Sequence, residues 1–141
     1  MNALPLPSLL MLASAAILFA LGTLHLVYTF HGSKLTPRDP ALQARMAEVS
    51  PVIPRETTMW KTWVGFNASH SLGAMLFGLV YGYLALRHAA LLFNDVFLLA
   101  IGAAMLGSFA MLGWRYWFSV PFRGICLSAA CYVGAIALSV L

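Results

Sequence analysis

Residues 8–30 read SLLMLASAAILFALGTLHLVYTF, and none of them carries a formal charge. A bilayer core is about 30 Å thick, and a helix that rises about 1.5 Å per residue crosses it in about 20 residues. The stretch is therefore long enough and apolar enough to cross a membrane once. Because it lacks the alternation of a membrane-spanning β-strand, the sequence predicts a helix.

Three further stretches have the same character. We predict four transmembrane helices, over residues 8–30, 60–86, 94–112 and 121–141. In the first loop, Asp39 followed by Pro40 is typical of a helix start and predicts a short interfacial helix over residues 41–49. The predicted fold is all-α: a four-transmembrane-helix bundle with this interfacial helix, forming a single integral membrane domain over residues 1–141.

The composition of the chain supports this interpretation. Of its 141 residues, 62% are hydrophobic and only 9% are charged, whereas soluble domains have about 25% charged residues. This composition excludes a disordered chain, a disulfide scaffold and a free cytosolic enzyme. The net charge of +4 comes from the loops, where it suits anionic lipid headgroups. We therefore expect membrane lipid as a partner and no nucleic acid.

The positive charges are unevenly distributed between the two predicted sides of the membrane. Arg87 is the one basic residue predicted on the side that holds both termini. The opposite side holds seven, namely Lys34, Arg38, Arg45, Arg55, Lys61, Arg115 and Arg123. Because short basic loops stay in the cytoplasm, we expect both termini on the non-cytoplasmic side.

Polar residues in two of the predicted spans indicate a ligand-binding site. His25 lies near the end of the first span, and Asn67 and His70 lie near the start of the second. Since these spans run antiparallel, the two imidazoles are expected at similar depths, about 8 and about 10 Å from the cytoplasmic ends. The predicted ligand-binding set is His25, Asn67, His70, Trp63, Ser108, Arg115 and Arg123.

This polar layer is open to several interpretations. The histidines could serve only to fix the helix register through hydrogen bonds. They could instead bind a lipid-like or quinone-like ligand that enters from the cytoplasmic leaflet. A third possibility is a redox protein with a b-type haem ligated by His25 and His70. No carboxylate lies at that depth, so a di-metal site is not expected.

The chemistry of the chain does not favour an enzyme. It lacks paired acid and base residues in the spans, and no catalytic residue can be named from it. An accessory subunit of a larger membrane complex, or a homo-oligomer, is therefore a further possibility.

Two sequence motifs resemble those of a known protein family. They are Gly22-Thr23-Leu24-His25 at the end of the first span and the stretch WVGFNASHS at residues 63–71, which follows Thr58-Met59-Trp60. This arrangement resembles a family of small, uncharacterised four-helix bacterial integral membrane proteins, and we accordingly expect the bacterial inner membrane.

A second resemblance concerns the layout of the chain. In size, number of spans and long first loop, it is similar to the membrane-associated eicosanoid and glutathione metabolism family of trimeric thiol-handling enzymes. Asn67 matches the Asn of that family's second helix, but the Arg and Glu of the same pattern are missing here. Thiol or glutathione transfer is therefore a minor alternative.

Overall fold

The structure, a computed structural model, describes residues 4–53 and 55–140, and within these ranges it contains helices and no strand. The helices are α1 (Leu6–Phe30), α2 (Pro40–Glu48), α3 (Met59–Arg87), α4 (Ala89–Asn94), α5 (Val96–Tyr116) and α6 (Ser119–Ser139). Four of them, α1, α3, α5 and α6, are long and apolar enough to cross a membrane. The prediction of an all-α protein with four transmembrane helices is thereby confirmed.

The short helix α2 forms where the first loop predicts it. Asp39 is the N-cap, and its side chain accepts a hydrogen bond of 2.9 Å from the backbone N–H of Ala41. Pro40 occupies the first helical position, where its missing N–H costs nothing. No residue of α2 is buried, as is expected of a surface helix.

The start of the third span differs from the prediction. Asn94 was expected to begin that span, but it ends α4, a short helix between the second and third predicted spans. Asp95 caps α5 instead, since its Oδ1 accepts from the N–H groups of Phe97 and Leu98 at 2.9 and 3.1 Å. The boundary falls here because the Asp95 carboxylate accepts from two backbone N–H groups that have no partner within the helix. Its negative charge also suits the N-terminus of the helix, where the helix dipole is positive.

The other boundaries of the last two spans also shift. Helix α5 ends at Tyr116, past the predicted residue 112, because residues 113–116 contain no proline and the helix continues through Gly113. Helix α6 begins at Ser119 rather than Pro121. Proline is tolerated in a first turn, where the N–H groups lack intrahelical acceptors. The predicted end of the fourth span, residue 141, lies outside the described residues.

Close contacts divide the chain into two compact units. We call Met1–Leu21 together with Ala74–Leu141 the core unit, and Gly22–Gly73 the histidine unit. Helices α1 and α3 contribute residues to both.

In the core unit, α1 and α3 approach closely at a glycine. A Cβ atom added to Gly78 would lie 2.6 Å from Phe19 Cβ and 2.7 Å from the carbonyl oxygen of Ala15. Both distances are shorter than van der Waals contact. In lipid, helices associate through such close packing rather than through the hydrophobic effect, so Gly78 permits the contact.

Two buried tyrosines join three helices of the core unit. Tyr81 on α3 donates a hydrogen bond of 2.6 Å to the carbonyl of Leu98, and Tyr132 on α6 donates one of 2.8 Å to the carbonyl of Leu99. Both acceptors lie on α5. The rings fit because Gly102 has no side chain: a Cβ there would lie 2.8 Å from Cζ of each tyrosine.

A serine pair joins α1 to α6 in the same unit. Ser128 Oγ lies 2.9 Å from both the carbonyl oxygen and the Oγ of Ser14, and both side chains are fully buried. A hydroxyl has one proton. Since the Ser128 proton goes to the Ser14 carbonyl, Ser14 donates to Ser128 Oγ.

Candidate functional site

The histidine unit brings together three of the predicted site residues. His25 on α1 and Asn67 on α3 form a hydrogen bond of 2.9 Å between Nε2 and Oδ1. The rings of His25 and His70 lie 5.4 Å apart between centroids and are inclined at 82°, in edge-to-face contact. We refer to His25, Asn67 and His70 as the histidine cluster.

The orientation of the Asn67 amide follows from its second contact. Its Nδ2 donates a hydrogen bond of 2.8 Å to the carbonyl oxygen of Trp63, one turn earlier on α3. An amide oxygen in that position would face another oxygen, so Oδ1 must point to His25. The proton in the His25–Asn67 bond therefore belongs to His25 Nε2.

Hydroxyl groups close to the cluster are turned towards their own helices. Thr29 donates to the carbonyl of His25 and Ser71 to the carbonyl of Asn67, each at 2.8 Å. Bonds of this kind within a helix are common for Ser and Thr. They commit the single proton of each hydroxyl to the backbone.

Trp63, a member of the predicted ligand-binding set, is 44% exposed. The indole N–H donates a hydrogen bond of 3.0 Å to the carbonyl of Leu35. The tryptophan thus connects the start of α3 to the first loop, while part of its ring stays available to an apolar group.

The other three predicted site residues belong to the core unit. Ser108 is exposed and donates a hydrogen bond of 2.8 Å to the carbonyl of Ala104. Arg115 and Arg123 are also exposed, and the one ion pair among the described residues is that of Arg45 with Glu48. The participation of these three in ligand binding stays a prediction.

Two features of the histidine unit were not predicted from the sequence. Lys34 Nζ lies 4.1 Å from the centre of the Tyr28 ring, a cation–π contact at the end of α1. A groove of ≈ 330 Å³ is lined by Pro40, Gln43, Ala44, Ala47 and Trp60. The spacing of small residues along α2, opposite a tryptophan, was the signal that could have revealed it.

The cluster geometry does not suit the haem alternative. Two histidines that ligate one haem iron must each direct an unprotonated nitrogen at the metal from opposite faces of the macrocycle. Here the two rings touch edge to face, with no room for a flat macrocycle between them, and His25 Nε2 donates its proton to Asn67. The described residues also contain no group of three or more His, Cys, Asp or Glu side chains that could hold a metal ion.

Comparison of the chain with protein-family models, with curated proteins and with solved structures found no match.

Proposed function

We propose that this protein binds an amphipathic, lipid-like or quinone-like molecule in the membrane and holds its polar head at the histidine cluster. The observation that supports this proposal is the meeting of His25, Asn67 and His70 on two helices that can cross a membrane. Ionisable side chains inside a bilayer are costly and are found mainly where a protein uses them.

The degree of exposure favours a ligand over a purely structural role. A hydrogen bond that only fixes helix register is best fully enclosed, as the Ser14–Ser128 pair is in the core unit. All three side chains of the histidine cluster are instead partly exposed. Furthermore, the His25–Asn67 bond would be enough to fix the register, and His70 adds a second imidazole beside it.

The surroundings of the cluster suit an apolar tail. Leu24, Val27 and Phe66, near the cluster in the sequence, are exposed on their helices. With the exposed part of the Trp63 ring, they offer aliphatic and aromatic surface next to the polar groups. A molecule with a small polar head and a long apolar tail matches this combination.

The proposal also includes the position of the histidine cluster in the membrane. We propose the bacterial inner membrane, with both termini on the non-cytoplasmic side, because seven of the eight Lys and Arg residues lie between the first two spans, between the last two spans, or at the ends of the spans next to these connections. His25 is five residues before the end of α1 at Phe30, or about 8 Å along the helix. The ligand head then lies in the cytoplasmic leaflet and enters from it.

The test measures retention of two probes by the full chain purified in mild detergent: a short-tailed benzoquinone and dioleoyl phosphatidylglycerol. One probe distinguishes a quinone-like ligand and the other a lipid. His70→Ala is expected to reduce retention of the bound probe about tenfold or more, which corresponds to about 1.4 kcal/mol. Far-ultraviolet circular dichroism should show an unchanged helical content.

The matched control is His88→Ala. His88 is exposed and lies beyond the end of α3, so retention should stay within about twofold of the original protein, a difference of less than about 0.5 kcal/mol. Equal losses in both variants, or no retention of either probe by the unaltered chain, would contradict the proposal. A stoichiometric protein partner that copurifies in place of a ligand would support the accessory-subunit alternative.

A further inference from the structure

We infer that the groove between α2 and the start of α3 binds an anionic phospholipid of the surrounding leaflet. The groove takes the ester end of an acyl chain, and basic side chains beside it take the phosphate. This inference goes beyond the proposed function, because no residue of the histidine cluster lines the groove. It assigns a second lipid site to the histidine unit.

The two walls of the groove are held together by the backbone. The indole of Trp60, the second residue of α3, forms one wall. The other wall is a single face of α2 and consists of Pro40, Gln43, Ala44 and Ala47. The backbone N–H of Met59 donates a hydrogen bond of 2.8 Å to the carbonyl of Val49, the C-cap of α2. This bond fixes the end of α2 to the start of α3, so the groove is a formed feature of the fold.

The size and chemistry of the groove suit the ester end of an acyl chain. Its volume of ≈ 330 Å³ lies at the lower end of the range for ligand pockets, about 300–1,000 Å³. The small side chains of Ala44 and Ala47 leave this space open beside an aromatic ring. Gln43 and Trp60 carry N–H donors, from which an ester carbonyl can accept. An aliphatic chain that ends in an ester therefore matches the lining.

The segment around the groove has the exposure expected of a surface in contact with lipid. No residue of α2 is buried, and Leu42 on this helix is 51% exposed. After α2, the side chains of Val52 and Ile53 are almost fully exposed. The segment joins two helices that can cross a membrane, so it lies close to the headgroups at their ends. Apolar side chains exposed at that level find lipid as their neighbour.

The charge of the same segment favours an anionic head. Residues 31–61 include five Lys and Arg residues and three Asp and Glu residues. Two of the three acids are already engaged, since Asp39 caps α2 and Glu48 pairs with an arginine. Arg38, just before α2, and Lys61, in the first turn of α3, are exposed cations that adjoin the two walls in the sequence. Cations at a membrane surface attract the phosphates of anionic lipids.

The test labels the full chain with photoactivatable lipids in nanodiscs of dioleoyl phosphatidylcholine. Two probes carry the same diazirine next to the ester of one acyl chain, and their heads are phosphatidylglycerol and phosphatidylcholine. Proteolysis and mass spectrometry then measure the label on residues 40–60, which include both walls. The phosphatidylglycerol probe is expected to label this segment about fivefold or more above the phosphatidylcholine probe, because basic residues near the headgroups favour the anionic head.

Ala44→Leu tests the groove by filling it. The larger side chain takes the space of the acyl chain, so labelling by the phosphatidylglycerol probe should fall about fivefold or more. Ala47→Leu, on the same wall, should repeat the loss. Ala41→Leu is the matched control, because Ala41 is exposed on the same helix and does not line the groove. Its labelling should stay within about twofold of the original protein.

Arg38→Gln combined with Lys61→Gln tests the preference for an anionic head. Labelling by the phosphatidylglycerol probe should fall to the level of the phosphatidylcholine probe, because the attraction to the net negative head is lost. Arg87→Gln is the control, since Arg87 is exposed at the opposite end of α3. The preference should persist in this variant.

His70→Ala separates this inference from the proposed function, because labelling of residues 40–60 should persist in it. Labelling that is lost in His70→Ala and unchanged in Ala44→Leu overturns the inference and leaves the proposed function standing. Equal labelling by the two probes, or equal losses in Ala44→Leu and Ala41→Leu, also overturns the inference. An unlabelled groove in a dimer that Ala44→Leu dissociates would assign the groove to a second copy of the chain instead.

Discussion

The two units of the chain treat polar groups in opposite ways. In the core unit, the hydroxyls of Tyr132, Ser14 and Ser128 are buried and donate to partners on neighbouring helices. In the histidine unit, the rings of His25 and His70 are partly exposed. The polar groups that join helices are thus enclosed in the core unit and partly exposed in the histidine unit.

This contrast between the two units predicts which substitutions change stability and which change ligand binding. Changes at the enclosed contacts of the core unit should lower the free energy of unfolding, because each leaves an overlap or an unpaired group. Changes in the histidine cluster should mainly alter ligand retention. Three substitutions test this separation, in order of decreasing expected effect on stability.

The largest effect is expected for Gly78→Ala. The new methyl group would overlap Phe19 Cβ and the carbonyl oxygen of Ala15, and the latter is backbone that cannot turn away. Overpacking of this kind costs about 1–3 kcal/mol, and the rigid neighbour places this site near the upper value. Reversible unfolding in mixed micelles, followed by circular dichroism, measures the change.

Gly107→Ala is its control, because a Cβ at Gly107 meets nothing within 4 Å. Alanine is the better helix former by about 1 kcal/mol, so this variant should be as stable as the original chain or more stable. Equal destabilisation by both substitutions would show that the close approach at Gly78 is not a determinant of the fold.

A smaller loss of stability is expected for Ser128→Ala, and a loss about half as large for Ser14→Ala. Ser128 both donates to the Ser14 carbonyl and accepts from the Ser14 hydroxyl, so its loss leaves that hydroxyl unpaired in a buried site. The cost should be about 1–2 kcal/mol. Ser14→Ala removes one bond but leaves Ser128 paired with the carbonyl, and should cost about half as much. The same unfolding assay measures both, and a reversed order would contradict the assigned donors.

The smallest effect on stability is expected for His25→Leu, in the histidine unit. This variant loses one hydrogen bond to Asn67 across helices, and such bonds in membrane proteins average about 0.6 kcal/mol. Probe retention, in contrast, should fall by tenfold or more, or at least about 1.4 kcal/mol. A loss of stability comparable to that of Gly78→Ala, with unchanged retention, would assign the cluster a structural role instead.

Much of the fold could be predicted because its signals are local. The first two spans were placed within two residues of α1 and α3, since length and hydropathy suffice to define a transmembrane helix. The start of α2 followed from Asp39 and Pro40, whose effects act within one turn. The third span was predicted from residue 94, whereas α5 begins at Val96 after the Asp95 cap, because Asn and Asp are both good caps and spacing alone does not choose between them.

The candidate site was predictable in part. The similar depths of His25 and His70 follow from counting residues along two antiparallel helices, and the rings do meet. The exposed position of Ser108, and the bond of the Trp63 indole to the Leu35 carbonyl, could not be obtained by counting. Depth depends on the rise per residue, but the direction of a side chain depends on the rotation of its helix.

The sequence by itself therefore determined the number of transmembrane helices, the short helix between the first two, and the residue types that lie at one level. Only the tertiary structure decided that Tyr81 and Tyr132 donate to adjacent carbonyls of α5 beside Gly102, and that Asn67 presents its oxygen to His25. The physical reason is the distance along the sequence over which each kind of interaction acts. Helix formation and membrane insertion depend on neighbouring residues and total hydropathy, whereas a hydrogen bond between helices requires two side chains, distant in sequence, to meet within about 3 Å at a defined angle.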